Sequence, residues 1–165
     1  MQLISDANVL IDMHEGGVLE SMFQLSDSFC VPDILYTEEL EAHYPNLPTL
    51  GLVILALSGD GVKNAVILKQ HYLGPSMNDL FALELARENG CSLLSGDRRL
   101  KVAAEKEGII VRGTIWLVER LIIEEILTIT GACIAYKKMK NAGSRLPWDI
   151  AAQRLEEIKS TTNDG

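Results

Sequence analysis

Short apolar segments alternate with longer helical segments through the first two thirds of the chain. The apolar segments predict strands at residues 3–4, 29–31, 50–57, 92–94 and 109–111. Between them, apolar residues recur at the three- and four-residue spacing of helices. This alternation predicts right-handed crossovers, a parallel sheet and helices on both faces of the sheet. The expected fold class is therefore α/β, a three-layer α/β/α sandwich.

The last third of the chain has a different pattern, because it is almost entirely helical from Thr114 onwards. A loop at residues 141–147 precedes a final amphipathic helix at residues 149–158. We expect a core over residues 1–120 and a helical extension over residues 121–160 that packs on the same domain. Residues 161–165 are expected to be a frayed tail.

The charge of the chain is distributed unevenly. Its formal net charge is −8. Residues 1–97 hold 14 acidic and 3 basic residues, whereas residues 98–165 hold 9 acidic and 12 basic ones. An acidic half beside a basic half is what a metal-dependent enzyme acting on a polyanion needs.

The cysteines and the hydropathy pattern bear on the compartment. Cys30, Cys91 and Cys133 stand singly among apolar residues, which favours reduced, buried thiols in a cytoplasmic protein. No apolar run reaches the roughly 18 to 20 residues of a membrane span, so no membrane partner is expected.

Acidic residues stand where predicted strands end or helices begin. Asp6 and Asp97 each follow an apolar strand, Asp79 begins a helix, and the pair Glu38 and Glu39 lies in another helix. N-capping explains any one aspartate taken alone, but we judge that it does not explain the two acids at strand ends. Loops at the C-terminal ends of parallel strands converge on one crevice, where carboxylates repel unless a cation binds between them. The pattern predicts a site for Mg²⁺ or Mn²⁺.

Four motifs in order resemble those of the PIN-domain nucleases, particularly the VapC-like toxins of toxin–antitoxin pairs. The motifs are Asp6-Ala-Asn8-Val-Leu-Ile-Asp12, the helix with Glu38-Glu39, Ser76-Met-Asn-Asp79, and Ser95-Gly-Asp97-Arg-Arg. The resemblance covers roughly residues 1–120. It implies a metal-dependent ribonuclease, a toxin that forms a homodimer and is blocked by an antitoxin protein.

The resemblance also implies roles for individual residues. Asp6, Asp79 and Asp97 match metal-binding aspartates, and one of Glu38 and Glu39 matches the metal-binding glutamate. The spacing from Pro32 favours Glu38, which we choose, while the Glu-Leu dipeptide favours Glu39. The positions that match polar groups supporting the carboxylates are Asn8, Ser76 and Ser95.

The chemistry of phosphodiester hydrolysis is consistent with the same residues. One or two Mg²⁺ ions held by carboxylates supply an activated water and neutralise charge on the phosphoryl oxygens. Arg98 and Arg99 follow Asp97 directly and can contact a substrate phosphate. We therefore expect a Mg²⁺- or Mn²⁺-dependent nuclease that hydrolyses RNA.

Two other functions remain open at this stage. One is a catalytically silent PIN fold that only binds RNA or protein. The other is a receiver or phosphatase-like domain with Asp6 phosphorylated, which would need a lysine that no strand end convincingly provides.

A separate expectation concerns association. The C-terminal side chains Val118, Leu121, Ile122, Ile126 and Leu127 form more apolar surface than one sheet needs, so part of it is expected to contact a second copy or an antitoxin.

Overall fold

A computed structural model describes residues 1–163 of the chain. Five parallel strands form one sheet: β1 (Gln2–Ser5), β2 (Ser28–Pro32), β3 (Val53–Leu55), β4 (Ser92–Leu94) and β5 (Val111–Arg112). Their order across the sheet is β3-β2-β1-β4-β5. In the register, Ile4 of the central strand pairs with Cys30 on one side and Leu93 on the other. The predicted α/β class and parallel sheet are confirmed.

Helices connect the strands and follow the last of them. They are α1 (Ala7–Glu15), α2 (Leu19–Met22), α3 (Asp33–Leu35), α4 (Leu47–Leu50), α5 (Gly59–His71), α6 (Met77–Asn89), α7 (Arg98–Lys106), α8 (Thr114–Ile123), α9 (Ile129–Asn141) and α10 (Trp148–Asn163). Helix α3 continues directly into a π-helical segment, Tyr36–Leu40.

The helices form two layers around the sheet. Helix α6 packs against β1, β2 and β4, with α5 and α7 beside it. Helix α1 packs against α2, α8 and α9. Right-handed crossovers from β1 to β2 and from β4 to β5 place α1 and α7 on opposite faces of the sheet, because the chain moves in opposite directions along it. The molecule is a three-layer sandwich.

The helical layer of α5, α6 and α7 contains one helix, α6, whose burial the sequence pattern does not predict. Residues 80–89 predict an amphipathic helix, but every residue from Leu80 to Ala86 is buried. The reason is that α6 lies between the sheet and α5, so both of its sides face protein. It is a central helix rather than a surface one.

Two other local predictions are wrong in detail. Residues 50–57 predict one strand, yet the segment divides into α4, a turn at Gly51 and the short strand β3. Gly51 has a φ of 127°, which a residue with a side chain rarely adopts, so the turn at this position breaks the apolar run. Cys133 is exposed, whereas a buried thiol was expected; Cys30 is buried, and all three cysteines are free.

The C-terminal helices pack on the rest of the chain through α9 on α1 and α10 on α9. Arg154 of α10 donates through Nε and Nη2 to the buried carboxylate of Glu119 in α8. Helix α10 continues to Asn163, beyond residue 158 where the sequence predicted its end, so residues 161–163 of the expected tail are helical. Residues 164–165 of that tail lie outside the described residues.

The apolar residues on which the dimer prediction depended pack within one chain. Val118 and Leu121 are fully buried. The others, Ile122, Ile126 and Leu127, are partly buried against the same core. They are therefore not the free surface that the sequence suggested, and a homodimer stays a prediction without that support. Within residues 1–163, no helix has both the length and the apolar character needed to cross a bilayer.

Candidate active site

Two neighbouring strands bring Asp6 and Asp97 to the same edge of the sheet. Asp6 follows β1, and its backbone N–H donates to Leu94 O at the end of β4 over 2.9 Å. The chain then continues from β4 through Ser95 to Asp97, whose N–H donates to Ser95 Oγ over 3.0 Å. The two aspartates are 91 positions apart in sequence and follow adjacent parallel strands. Strand order alone brings them together, as expected for this class of sheet.

Each predicted site aspartate uses one carboxylate oxygen at the start of a helix. Asp6 Oδ1 accepts from Val9 N at α1, and Asp97 Oδ1 accepts from Leu100 N at α7. The expectation that N-capping does not explain these two acids is therefore wrong. Asp6 Oδ2 is buried without a hydrogen-bond partner. Capping fixes each carboxylate in place by one oxygen, so the other oxygen can serve a ligand.

Asp79 also uses a carboxylate oxygen at the start of a helix, α6, which lies on the other face of the sheet from α1. It is the third residue of α6, whose N-cap is Ser76. Asp79 N donates to Ser76 Oγ over 3.1 Å, and Ser76 N donates to Asp79 Oδ2 over 2.9 Å, which makes a reciprocal capping box. The start of α6 lies at the C-terminal edge of the sheet, because α6 runs back from there to the opposite edge, where the parallel strand β4 begins. Asp79 is thereby brought towards Asp6.

Burial dominates the electrostatics of Asp6. The residue is 2% exposed. This burial raises the pKa of Asp6 to about 7, against hydrogen bonds from Ser95 and Val9 that lower it, and the charges of Asp79 and Asp12 raise it further. A carboxyl that is buried, partly protonated at neutral pH and surrounded by acids is stabilised by any bound cation.

Glu38 and Glu39 lie in the π-helical segment and share a partner in α6. Asn78 Nδ2 donates to Glu38 Oε2 over 2.9 Å and to Glu39 Oε2 over 3.1 Å. Burial raises the pKa of Glu39, the Asn78 hydrogen bond lowers it, and the charges of Asp79 and Glu38 raise it. Glu39, the alternative to Glu38 that the sequence left open, is thus electrostatically coupled to Asp79. Single π-helical turns recur at functional sites, where they reposition side chains.

The residues predicted to support the carboxylates lie at different parts of the site, and their roles stay a prediction. Ser95 is buried beside Asp6, and Ser76 caps α6. Asn8 is exposed on α1 and lines a cavity together with Asp97. Arg98 and Arg99 begin α7 but face a separate groove lined by residues 71–75. Arg99 packs over Gly74, where a Cβ would lie 2.5 Å from Arg99 Cδ.

The oxygen ligands in this region suit a hard cation, although their side chains do not meet at a single point. All the acids named offer oxygen ligands, which Mg²⁺ and Mn²⁺ prefer, and Asp6 Oδ2 is an unsatisfied one. Within residues 1–163, no three His, Cys, Asp or Glu side chains stand close enough together to hold a metal ion. Asn78 Nδ2 donates to both glutamates, so the Oε2 atom of each is already engaged in a hydrogen bond.

The sequence reasoning missed Asp12 as a site residue. Thr114 Oγ1 donates to Asp12 Oδ2 over 3.1 Å, and Ser144 lines the same cavity as Asp12. Burial raises the pKa of Asp12, the nearby hydroxyls of Ser144 and Thr114 lower it, and the charge of Glu15 raises it. The available signal was a polar stripe on α1: Asn8, Asp12 and Glu15 recur at positions i, i+4 and i+7 on one helix face.

Comparisons with known proteins agree with the fold and the family resemblance. A sequence profile for a family described as PIN domain matches residues 2–160, which includes the C-terminal helices. A solved PilT N-terminus domain protein from the hyperthermophilic archaeon Sulfolobus solfataricus P2 is similar in fold, with a TM-score of 0.51 and 10% sequence identity. The similarity covers 74% of this chain and 94% of the archaeal one. Among curated proteins, none matches the chain. The chain belongs to the PIN-domain family.

Proposed function

We propose that this protein is a Mg²⁺- or Mn²⁺-dependent nuclease that hydrolyses RNA. PIN domains are generally nucleases, and the edge of this sheet supports that activity here. The observation that carries the proposal is the buried, unpartnered Oδ2 of Asp6, a carboxyl that also feels the negative charge of Asp79. A carboxylate oxygen buried without a hydrogen bond is costly unless a ligand completes it.

The chain's own groups would position the cation and the substrate. Asp6, Asp79, Asp97 and one of Glu38 and Glu39 would hold it. A bound Mg²⁺ or Mn²⁺ would generate the nucleophile and neutralise charge on the phosphoryl oxygens. Because Asp6 is partly protonated near pH 7, it must release its proton when the cation binds. The hydrogen bonds from Val9 N and Leu100 N fix the carboxylates of Asp6 and Asp97 in their orientations.

We extend the proposal to RNA as the substrate and to a toxin's role in the cytoplasm. The support for a polyanionic substrate is the excess of basic residues in residues 98–165 beside the acidic edge. The toxin role, an antitoxin partner and a homodimer follow from the resemblance to VapC-like proteins. Co-purification of the chain with a neighbouring gene product, and its mass in solution, test these three points.

A catalytically silent PIN fold that binds RNA or protein is the second candidate function. The observation that favours it is the lack of a three-ligand cluster among residues 1–163 in the present rotamers. A receiver-like role for Asp6 is disfavoured, because a phosphoacceptor must be accessible and Asp6 is 2% exposed.

Cleavage of a mixed RNA pool by the purified protein tests the proposal. We expect products with Mg²⁺ or Mn²⁺, none with EDTA, and none from Asp6→Asn. Asp60→Asn is the matched control, since Asp60 is exposed in the first turn of α5 and lies outside the site. A parallel single-stranded DNA pool decides the sugar preference. RNA binding without cleavage in either metal would establish the silent module instead.

A further inference from the structure

A cavity of about 450 Å³ joins the acidic edge of the sheet to the C-terminal helices. One wall is the polar stripe of α1, and a second is the turn of Gly96 and Asp97 after β4. The third wall is the loop between α9 and α10, residues 142–146. A catalytic aspartate of the proposed nuclease and a segment beyond the four sequence motifs therefore line the same cavity.

The α9–α10 loop has a defined conformation at this wall. Gly143 has a φ of 92°, and Ser144 N donates to Met139 O over 3.0 Å, which ends α9 in a tight turn. Ser144 lines the cavity together with Asp12, whose Oδ2 accepts a hydrogen bond from Thr114 Oγ1 at the start of α8. The loop therefore lies against α1 at the carboxylate that also joins α1 to α8.

The next residue of the loop, Arg145, brings a positive charge to an acidic cavity. It lines the cavity together with Asp12, Glu15 and Asp97. Its side chain is exposed, and within residues 1–163 it forms no ion pair. By contrast, Arg154 in the following helix is paired with Glu119. An unpaired guanidinium among acids keeps its donors available for an anion that enters the cavity.

We propose that Arg145 binds a backbone phosphate of the RNA strand in this cavity and so positions the strand next to Asp97. This inference rests on the proposed nuclease function and assigns it a substrate-binding residue from the C-terminal helices. A guanidinium matches a phosphate bidentately, and it offsets the repulsion that Asp12, Glu15 and Asp97 exert on the strand. Arg98 and Arg99 face another groove, so they do not supply this contact.

The test compares Arg145→Ala, Arg145→Lys and Lys159→Ala with the wild type. Lys159→Ala removes the same charge from an exposed position of α10 outside the cavity. Binding of a short fluorescent single-stranded RNA is measured in EDTA, where cleavage is blocked, over a series of salt concentrations. Cleavage of the same RNA is then measured in Mg²⁺ or Mn²⁺ to separate KM from kcat. Thermal unfolding confirms that each variant is folded.

We expect Arg145→Ala to reduce the slope of log affinity against log salt by about 0.7, the value for one phosphate contact on a single strand. Its KM should rise about tenfold with kcat changed less than about twofold, because one charge-assisted contact is lost. Arg145→Lys should keep the slope, since it keeps the charge, and still raise KM.

Two outcomes overturn the inference, and one separates it from the proposed function. A salt slope unchanged in Arg145→Ala, or reduced equally in Lys159→Ala, shows that Arg145 makes no specific phosphate contact. If the wild type cleaves no nucleic acid in either metal, the nuclease proposal fails. The salt slope still decides whether Arg145 binds an RNA phosphate in a protein that only binds RNA.

Discussion

Replacing Asp6 by Asn should stabilise the metal-free protein in alkaline buffer and abolish cleavage. The pKa of Asp6 is raised from 3.8 to about 7 by burial, so the folded state disfavours its ionised form. Stability from this group is therefore full below the unfolded pKa and is lost as the pH rises towards 7. At about 1.4 kcal/mol per pKa unit, the penalty is about 1 kcal/mol at pH 4.5 and about 4 kcal/mol at pH 8.

The Asn variant carries no such penalty, because its side chain does not titrate. It instead places an amide near the site of the unpartnered Oδ2, at a cost of about 1–3 kcal/mol that does not depend on pH. The difference in stability between variant and wild type should therefore shift by about 3 kcal/mol in favour of Asn from pH 4.5 to pH 8. At pH 8 we expect the variant to be the more stable protein.

Urea unfolding in EDTA at the two pH values measures this shift directly. Asp60→Asn, at an exposed position, should show nearly the same difference from wild type at both. Adding Mg²⁺ at pH 8 should stabilise the wild type and leave Asp6→Asn unchanged, because only the wild type has the ligand. A difference between Asp6→Asn and wild type that is equal at pH 4.5 and pH 8 would refute the raised pKa. Full metal-dependent cleavage by the variant would rule out Asp6 as a ligand.

Substitutions at three further positions test the capping of the site and the packing of the fold. Asp97→Asn should lose cleavage with stability within about 0.5 kcal/mol of wild type, since Asn also caps helices, whereas Asp97→Ala should lose about 1 kcal/mol as well. Gly16→Ala should cost about 1–3 kcal/mol in urea unfolding, because its Cβ would lie 2.6 Å from Met139 Cε, whereas Gly59→Ala, with no atom within 4 Å, should be neutral or slightly stabilising. Leu83→Ala, at a fully buried position of α6, should cost about 2–5 kcal/mol; a loss below 1 kcal/mol would show that this helix does not lie in the core.

Much of the fold could be predicted from local sequence, because strand and helix periods are local properties. The alternation of apolar and helical segments predicted the parallel sheet, and the strands at β1, β2 and β4 lie close to their predicted positions. The same reasoning failed for α6, since a pattern of residues does not tell how many layers cover a helix. Residues 50–57 failed for a related reason: the positive φ at Gly51 divides an apolar run that reads as one strand.

The aspartates at strand ends were visible in the sequence because the topology of a parallel sheet places such positions on one edge. Only the tertiary structure decided their chemistry. The free oxygen and raised pKa of Asp6 depend on how deeply β1 and α1 are covered, which no local pattern encodes. Likewise, Asp12 and Ser144, 132 positions apart, line one cavity because α9 packs on α1. Contacts across that distance come from chain folding, so sequence alone gives the residue types while packing sets their environment.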